Sequence, residues 1–191
     1  TRVLDYGCSS GNFLDAMPVE WIKVGYEVNP SHIEHVQLNK PLIKIFNQVE
    51  NIDGKFDLIT MRGVIEHIQN HKDLIGFLNK KIIVGGGLFI SATPDFSSFP
   101  AAFYKDTWNQ VKCPEHIHQF TSTSLSFLLA KAGLVLKCLF HPYDETPYAN
   151  WVKDSVSYLK NVKNIGDQKS LSETSHAFPG NMMTAYFEKI E

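Results

Sequence analysis

The stretch "VLDYGCSSGNFLDAM", residues 3–17, decides the reading of this chain. Val3 and Leu4 are an apolar pair running into Asp5. A short loop of Gly and Ser follows, and then an apolar stretch with helical character that Pro18 closes. Small residues at a strand end let the backbone turn tightly and let another group approach it closely. Gly7 and Gly11 are therefore read as the places where a ligand meets a strand–loop–helix turn.

Working outward, the pattern alternates. Strands are expected over residues 2–6, 23–28, 42–46, 56–61, 88–94, 134–139 and 182–188. Between them lie helical signals. Ser31 with Glu34 fits a capping box after Pro30. Val64, Ile68, Ile75 and Leu78 fall near helical spacing. Thr121 and Ser122 can cap a helix whose apolar face is Leu125, Leu128, Leu129 and Ala132, closed by Gly133. Alternating strands and helices predict an α/β fold, a doubly wound, mostly parallel sheet. Two segments, 95–120 and 141–180, break the rhythm and are read as lid or insert segments.

The 191 residues suit one domain, 1–191, and 43% hydrophobic with 20% charged residues is an ordinary globular balance. Thr1-Arg2 leads straight into a strand, so an N-terminal element is expected to be missing. A net charge of −2 with no Lys or Arg run gives no electrostatic footprint for nucleic acid. No apolar run has the ~20 residues of a membrane span. Cys8, Cys113 and Cys138 are odd in number and scattered, which suggests neither zinc knuckle nor disulfide frame and fits a cytoplasmic protein. No metal is expected, and the oligomeric state is not legible.

The loop lies where open parallel sheets bind ligands, outside the carboxyl ends of the strands. Glu27, 22 positions after Asp5 at the end of "KVGYE", is placed to accept from ribose hydroxyls. The G-x-G-x-x-G triplet of dinucleotide sites is absent, as is the phosphate-binding G-x-x-x-x-G-K-[ST] loop. An adenosine without a cradled pyrophosphate fits best.

At this point the sequence resembles the class I S-adenosylmethionine-dependent methyltransferases, small-molecule branch. "DYGCSSG" is similar to their first motif, with Ser9 in place of the middle glycine. "GYEVNP" resembles the second-strand ending. "GKFDLITMRGVIEHI", "VGGGLFISATPDFSS" and "CPEHIHQFTSTSLSFLLAKAGL" resemble three later blocks, in the family's order. The resemblance implies a Rossmann-like, seven-stranded, mostly parallel sheet with an antiparallel last strand, and S-adenosyl-L-methionine as cofactor. It implies that Asp5 orients the loop and the methionine amino group, and that Tyr6, Gly7 and Cys8 face the methionyl part through their backbone, beside Gly11. Glu27 would hold the ribose and Val28 the adenine. Asn47 or Gln48 would reach the adenine amino group, and Met61 would lie by the methionyl moiety, unless it is simply core.

Methyl transfer to a weakly acidic hydroxyl calls for a base. His116 and His118 are candidates: on an extended segment, positions i and i+2 point the same way. Glu66 and His67 are read as a helix start, where an acid suits the dipole. Phe96, Phe99 and Phe103 fall at i, i+3 and i+7, near Tyr104 and Trp108. With Asp95 they would make an acceptor wall, or else ordinary packing. The expected function is methyl transfer to a small organic acceptor, most simply a hydroxyl oxygen. The alternatives are transfer to nitrogen or carbon, and a binding module that has lost catalysis.

Overall fold

The computed structural model describes residues 1–146, 149–171 and 178–190. Of the polar run at 166–176, residues 172–176 lie outside the described residues. Seven strands form one sheet: β1 (Arg2–Tyr6), β2 (Ile22–Tyr26), β3 (Ile43–Phe46), β4 (Phe56–Arg62), β5 (Ile82–Pro94), β6 (Leu134–Phe140) and β7 (Met182–Lys189). Their order is β3-β2-β1-β4-β5-β7-β6. The first five strands are parallel, and β7 runs antiparallel to both β5 and β6. This is the expected sheet. The chain reverses its winding between β1 and β4, so the carboxyl ends of those two strands open the crevice that such sheets use for ligands.

Alternation along β1 builds two cores. Val3 packs with Cys8, with Leu14 of α1 (Asn12–Asp15), with Val36 of α2 (Pro30–Asn39) and with Ile43. Leu4 faces the other side, in a larger core with Leu74 and Leu78 of α3 (His71–Lys81) and with Leu125 and Leu129 of α6 (Ser122–Ala130). Successive side chains on a strand point to opposite faces, and each fully buried aliphatic contributes about 1.5–3 kcal/mol.

Local signals explain the helix ends, with one correction. The Thr121 cap is present as a full capping box with Ser124. For α2, however, the cap is Asn29, whose Oδ1 accepts from Ser31 N at 3.0 Å, not the Ser31–Glu34 pair. Pro30 fixes the first helical position, which leaves Asn29 as the last residue outside the helix. The fifth strand begins earlier than the expected residue 88, so Gly85, Gly86 and Gly87 lie inside β5. Phe56 pairs with Ile82 and Leu58 with Gly87, so the extra residues are absorbed as an irregularity in the ladder.

The two inserts carry α4 (Phe99–Tyr104), α5 (Asn109–Lys112) and α7 (Trp151–Gly166). Ser98 caps α4, its hydroxyl accepting from Ala101 N. Tyr104, Trp108 and Phe178 form a third, small core under these inserts. Among the described residues no helix is long and apolar enough to cross a membrane.

Candidate active site

The glycines of the opening loop are explained first by their own neighbours. Gly7 has φ +83°, and a Cβ built there would meet Val64 Cγ2 at 2.6 Å. Gly11, at φ +74°, closes on Val36 and Ile43. What sits against these glycines is protein, and the tight loop is the price of seating α1 and the β4 loop against β1. The N–H groups of Gly7 and Cys8 both donate to Tyr26 O, at 2.8 and 3.0 Å. The Cys8 thiol is buried, pointing at Gly25, and burial pushes it up to about 12. The expected backbone contacts from Gly7 and Cys8 are therefore tied into β2, and the Cys8 side chain serves the core.

Asp5 carries the clearest ligand signal. It is fully buried at the carboxyl end of β1. Thr60 Oγ1 donates to Asp5 Oδ1 at 2.6 Å, while Oδ2, also buried, has no hydrogen-bond partner among the described residues. Burial raises the carboxyl from 3.8 to about 6, offset in part by Thr60 and by the charge of Arg62. A buried acceptor oxygen without a donor is costly unless a ligand completes it. A cationic ammonium group is the donor that answers both the orphan oxygen and the raised proton affinity.

Glu27 ends β2, nearly buried. Its Oε2 accepts from Ser9 N at 2.8 Å, and its Oε1 from Val28 N and Asn29 N, each at 2.8 Å. An ionised carboxylate has about four acceptor sites, so the rigidly held group retains capacity for a hydroxyl donor. Val28 is 67% exposed and offers an open apolar surface beside it. Asn47 and Gln48 are exposed after β3, with the Gln48 side chain accepting from Asn51 Nδ2. Tyr6 is half-buried and packs on Tyr26, ring centroids 4.5 Å apart. Met61 is fully buried within the larger core, so packing accounts for it. Asp5, Glu27 and the Val28 surface together fit the amino, ribose and base parts of an adenosyl amino acid.

Beyond the carboxyl ends of β4 and β5 opens a cavity of about 910 Å³, lined in part by Arg62, Glu66, His67, Ala92, Gln110 and His116. Arg62 lies over the Phe13 ring, 4.0 Å from its centroid, which links this cavity to the opening loop. Ala92 holds φ 57° on the wall, a strained conformation of the kind that gathers at functional sites. Glu66 lies in a 3-10 turn (Ile65–His67) rather than at a helix start, with its carboxylate buried and accepting from Thr93 Oγ1. Burial raises its pKa. His67 Nδ1 lies 2.7 Å from Glu115 O, and His116 Nδ1 lies 3.2 Å from Gln110 O. A carbonyl can only accept, so each Nδ1 carries a proton, and in the neutral His116 ring Nε2 keeps its lone pair. Burial lowers the pKa of His116. Glu66, His67 and His116 bring one donor atom each within 4.8 Å of the others, the one compact His, Cys, Asp or Glu cluster able to hold a metal ion among the described residues.

The two candidate bases are not neighbours in one pocket. His118 packs against His71, the rings tilted with centroids 3.9 Å apart, in a separate surface depression. His116 N bonds Cys113 O and Ile117 N bonds Glu115 O, so the segment turns and the i, i+2 alternation of an extended chain does not apply.

The acceptor wall is also corrected. Tyr104 and Trp108 are buried in the small third core. The Asp95 carboxylate is taken up by Ser97 N, Ser97 Oγ and His141 Nε2, the last at 2.8 Å, which fastens the first insert to the second. Phe99 is 54% exposed and lines a different groove with Tyr158 of α7. None of these four lines the cavity. Arg62, Gln110 and Cys113, not singled out in the sequence, do. Their signal was position: Arg62 ends β4, at the sheet edge that binds ligands.

Comparison with known proteins agrees with this geometry. A family model described as a methyltransferase domain matches residues 1–139. A mitochondrial ubiquinone biosynthesis O-methyltransferase of Dictyostelium discoideum is 26% identical over 83% of this chain, and the chain spans about half (51%) of that relative's length. The YcgJ protein of Bacillus subtilis shares the fold, with a TM-score of 0.65 at 14% identity, covering all of this chain and 92% of that one. So does the N-methyltransferase NodS of Bradyrhizobium japonicum, with a TM-score of 0.60 at 14% identity, covering 100% and 86%. With the reversal between β1 and β4, the buried Asp5 and the carboxylate closing β2 all in place, the chain belongs to the class I methyltransferase-domain family, whose cofactor is S-adenosyl-L-methionine.

Proposed function

We propose that the protein moves a methyl group from S-adenosyl-L-methionine to a hydroxyl oxygen of a small organic acceptor bound in the 910 Å³ cavity. The observation that carries this reading is His116. Its Nδ1 is held by a backbone carbonyl, its Nε2 lone pair is free, and burial keeps the ring neutral near pH 7. Such a group is equipped to accept the proton that a hydroxyl loses as it attacks. The O-methyltransferase relative supports oxygen as the acceptor atom, whereas the N-methyltransferase with the same fold shows that the fold does not set it.

The cofactor, when bound, supplies an electrophilic methyl on a sulfonium. The chain's own contribution is alignment. Asp5 would pair with the amino group through its free oxygen, Glu27 would accept from the ribose, and Val28 would cover the base. Glu66 sets the floor of the acceptor cavity. Its carboxylate lies 4.0 Å from His67 Nε2, so His67 sits beside Glu66 and His116 is the ring assigned to face the acceptor. Segments 95–120 and 141–180 both contribute to the cavity rim, through Gln110 and His116 and through Pro142, Glu145 and Thr146, as lids would. The three cysteines are free, which fits a reducing compartment such as the cytoplasm.

The test is isothermal titration with S-adenosylhomocysteine, followed by a screen of catechols, phenols and aliphatic alcohols with labelled donor. Tight cofactor binding with methyl-ether products supports the proposal. Cofactor binding with products only on amines assigns nitrogen instead. Cofactor binding without any product favours a binding module.

A further inference from the structure

Helix α7 is built inside out. Its buried residues are Asp154 and Asn161, with the half-buried Tyr158 between them at i, i+4, i+7. Its outward stripe is Val152, Val156 and Leu159, 77%, 61% and 66% exposed at the same spacing. A surface helix of a globular protein normally turns its apolar stripe to the core. Here the polar stripe is anchored inward: Tyr143 Oη donates to Asp154 Oδ2 at 2.5 Å, and Asn161 Nδ2 donates to Tyr104 Oη. Rolling the helix to bury its valines would break these bonds and take both partners from the Tyr143 and Tyr104 hydroxyls.

The charges say what covers the stripe. Lys163 follows Leu159 at i+4 and stands within the stripe, while Lys160, at i+4 from Val156, and Lys153 flank it on one side, all three exposed. Of the nearby acids, Asp154 is buried against Tyr143, Asp167 pairs with Lys169 at 3.1 Å, and Asp144, before the helix, accepts from Trp151 Nε1. In a chain of net charge −2, this helix is a local basic, apolar ridge. Two copies packed through it would set lysines against lysines. Trp151, 55% exposed, stands at its start, and Phe99 extends the apolar surface across the neighbouring groove. Exposed aliphatic residues on one face, with Lys among and beside them, are the composition of a helix that lies in the interface of an anionic bilayer. Lysine stems can reach from such a face to the headgroups.

We propose that α7 docks the protein on negatively charged membrane surfaces, lying in the interface plane without crossing it. This holds whatever the acceptor is, although residues 142–146, which rim the cavity, lead directly into this helix.

The experiment is co-sedimentation of the full chain with phosphatidylcholine vesicles, with and without phosphatidylglycerol. Binding is expected only to the anionic vesicles, falling as salt is raised. Leu159→Asp should lower partitioning more than about tenfold. Each of Lys160→Glu and Lys163→Glu should lower it about fivefold or more. Both sites are on the surface, and circular dichroism and cofactor titration confirm that the variants fold. Equal binding to both vesicle types, no binding, or indifference to all three substitutions overturns the proposal. So does self-association by sedimentation equilibrium that Leu159→Asp abolishes, which assigns the face to a second copy. Binding to poly-glutamate but not to anionic vesicles assigns it to an acidic protein.

Discussion

Thr60 and Asp5 are register partners across β1 and β4, and the Thr60 hydroxyl donates to Asp5 Oδ1 at 2.6 Å. This bond orients one carboxylate oxygen and leaves the other buried without a donor. The pair is a preformed half-site whose stability depends on protonation.

Because burial raises Asp5 from 3.8 to about 6, the fold favours its protonated form. That stability is complete below pH 3.8 and is lost as pH rises through about 6. Asp5→Asn, a permanent neutral mimic that can still accept from Thr60, should match the wild type at pH 4. At pH 8 without ligand it should be more stable by on the order of 3 kcal/mol. Urea unfolding at the two pH values measures this; a variant less stable at pH 8 counts against it.

The same substitution should weaken S-adenosylhomocysteine binding about tenfold to a hundredfold at pH 8, the range for a hydrogen bond to a charged group. Wild-type affinity should rise as pH increases through about 6, as the carboxylate forms. Calorimetric titration from pH 5 to 8 reads both effects.

Gly7→Ala combines a left-handed backbone with a contact at 2.6 Å on Val64. It should destabilise the protein by about 2–4 kcal/mol, from strain and overpacking together. In the Val64→Ala background the clash disappears while the strain remains, so the penalty should fall to about 1–2 kcal/mol. A double-mutant cycle in urea separates the two.

His116→Ala should lower kcat by about a hundredfold to ten-thousandfold, the range for a lost general base. His118→Ala, outside the cavity, should change it far less. The rate should fall on acidification with a midpoint below 6.5, since burial lowers the His116 pKa. Activity should survive EDTA. A loss restored by a divalent cation would transfer the role to a metal at Glu66, His67 and His116.

Tyr143→Phe removes the donor to Asp154 and leaves a buried carboxylate without its hydroxyl partner. A cost of about 1–3 kcal/mol is expected. Amide exchange should show the loosening concentrated in α7, with β1 and β4 unchanged.

The sheet was legible because strand spacing, glycine positions and the Asp5–Glu27 interval are local or periodic properties of the chain. The same holds for the Thr121 cap. A strand's two faces follow from alternation, but which helices cover Leu4 and Val3 is decided by the fold. Family resemblance added the occupant of the site, which composition and spacing could not.

Returning to residues 3–17, the sequence by itself determined that a strand ends at an acid, turns on two glycines and enters a helix. Only the tertiary structure decided what those glycines meet, because Val64, Val36 and Ile43 arrive from distant positions. It likewise separated His116 from His118, since a turn at 113–117 breaks the alternation on which their shared direction depended. It moved Tyr104 and Trp108 into a core and turned the apolar face of α7 outward. A periodic pattern fixes which residues share a face. Which way that face points is settled by polar partners elsewhere in the chain, here Tyr143 and Tyr104, whose hydrogen bonds hold Asp154 and Asn161 inside.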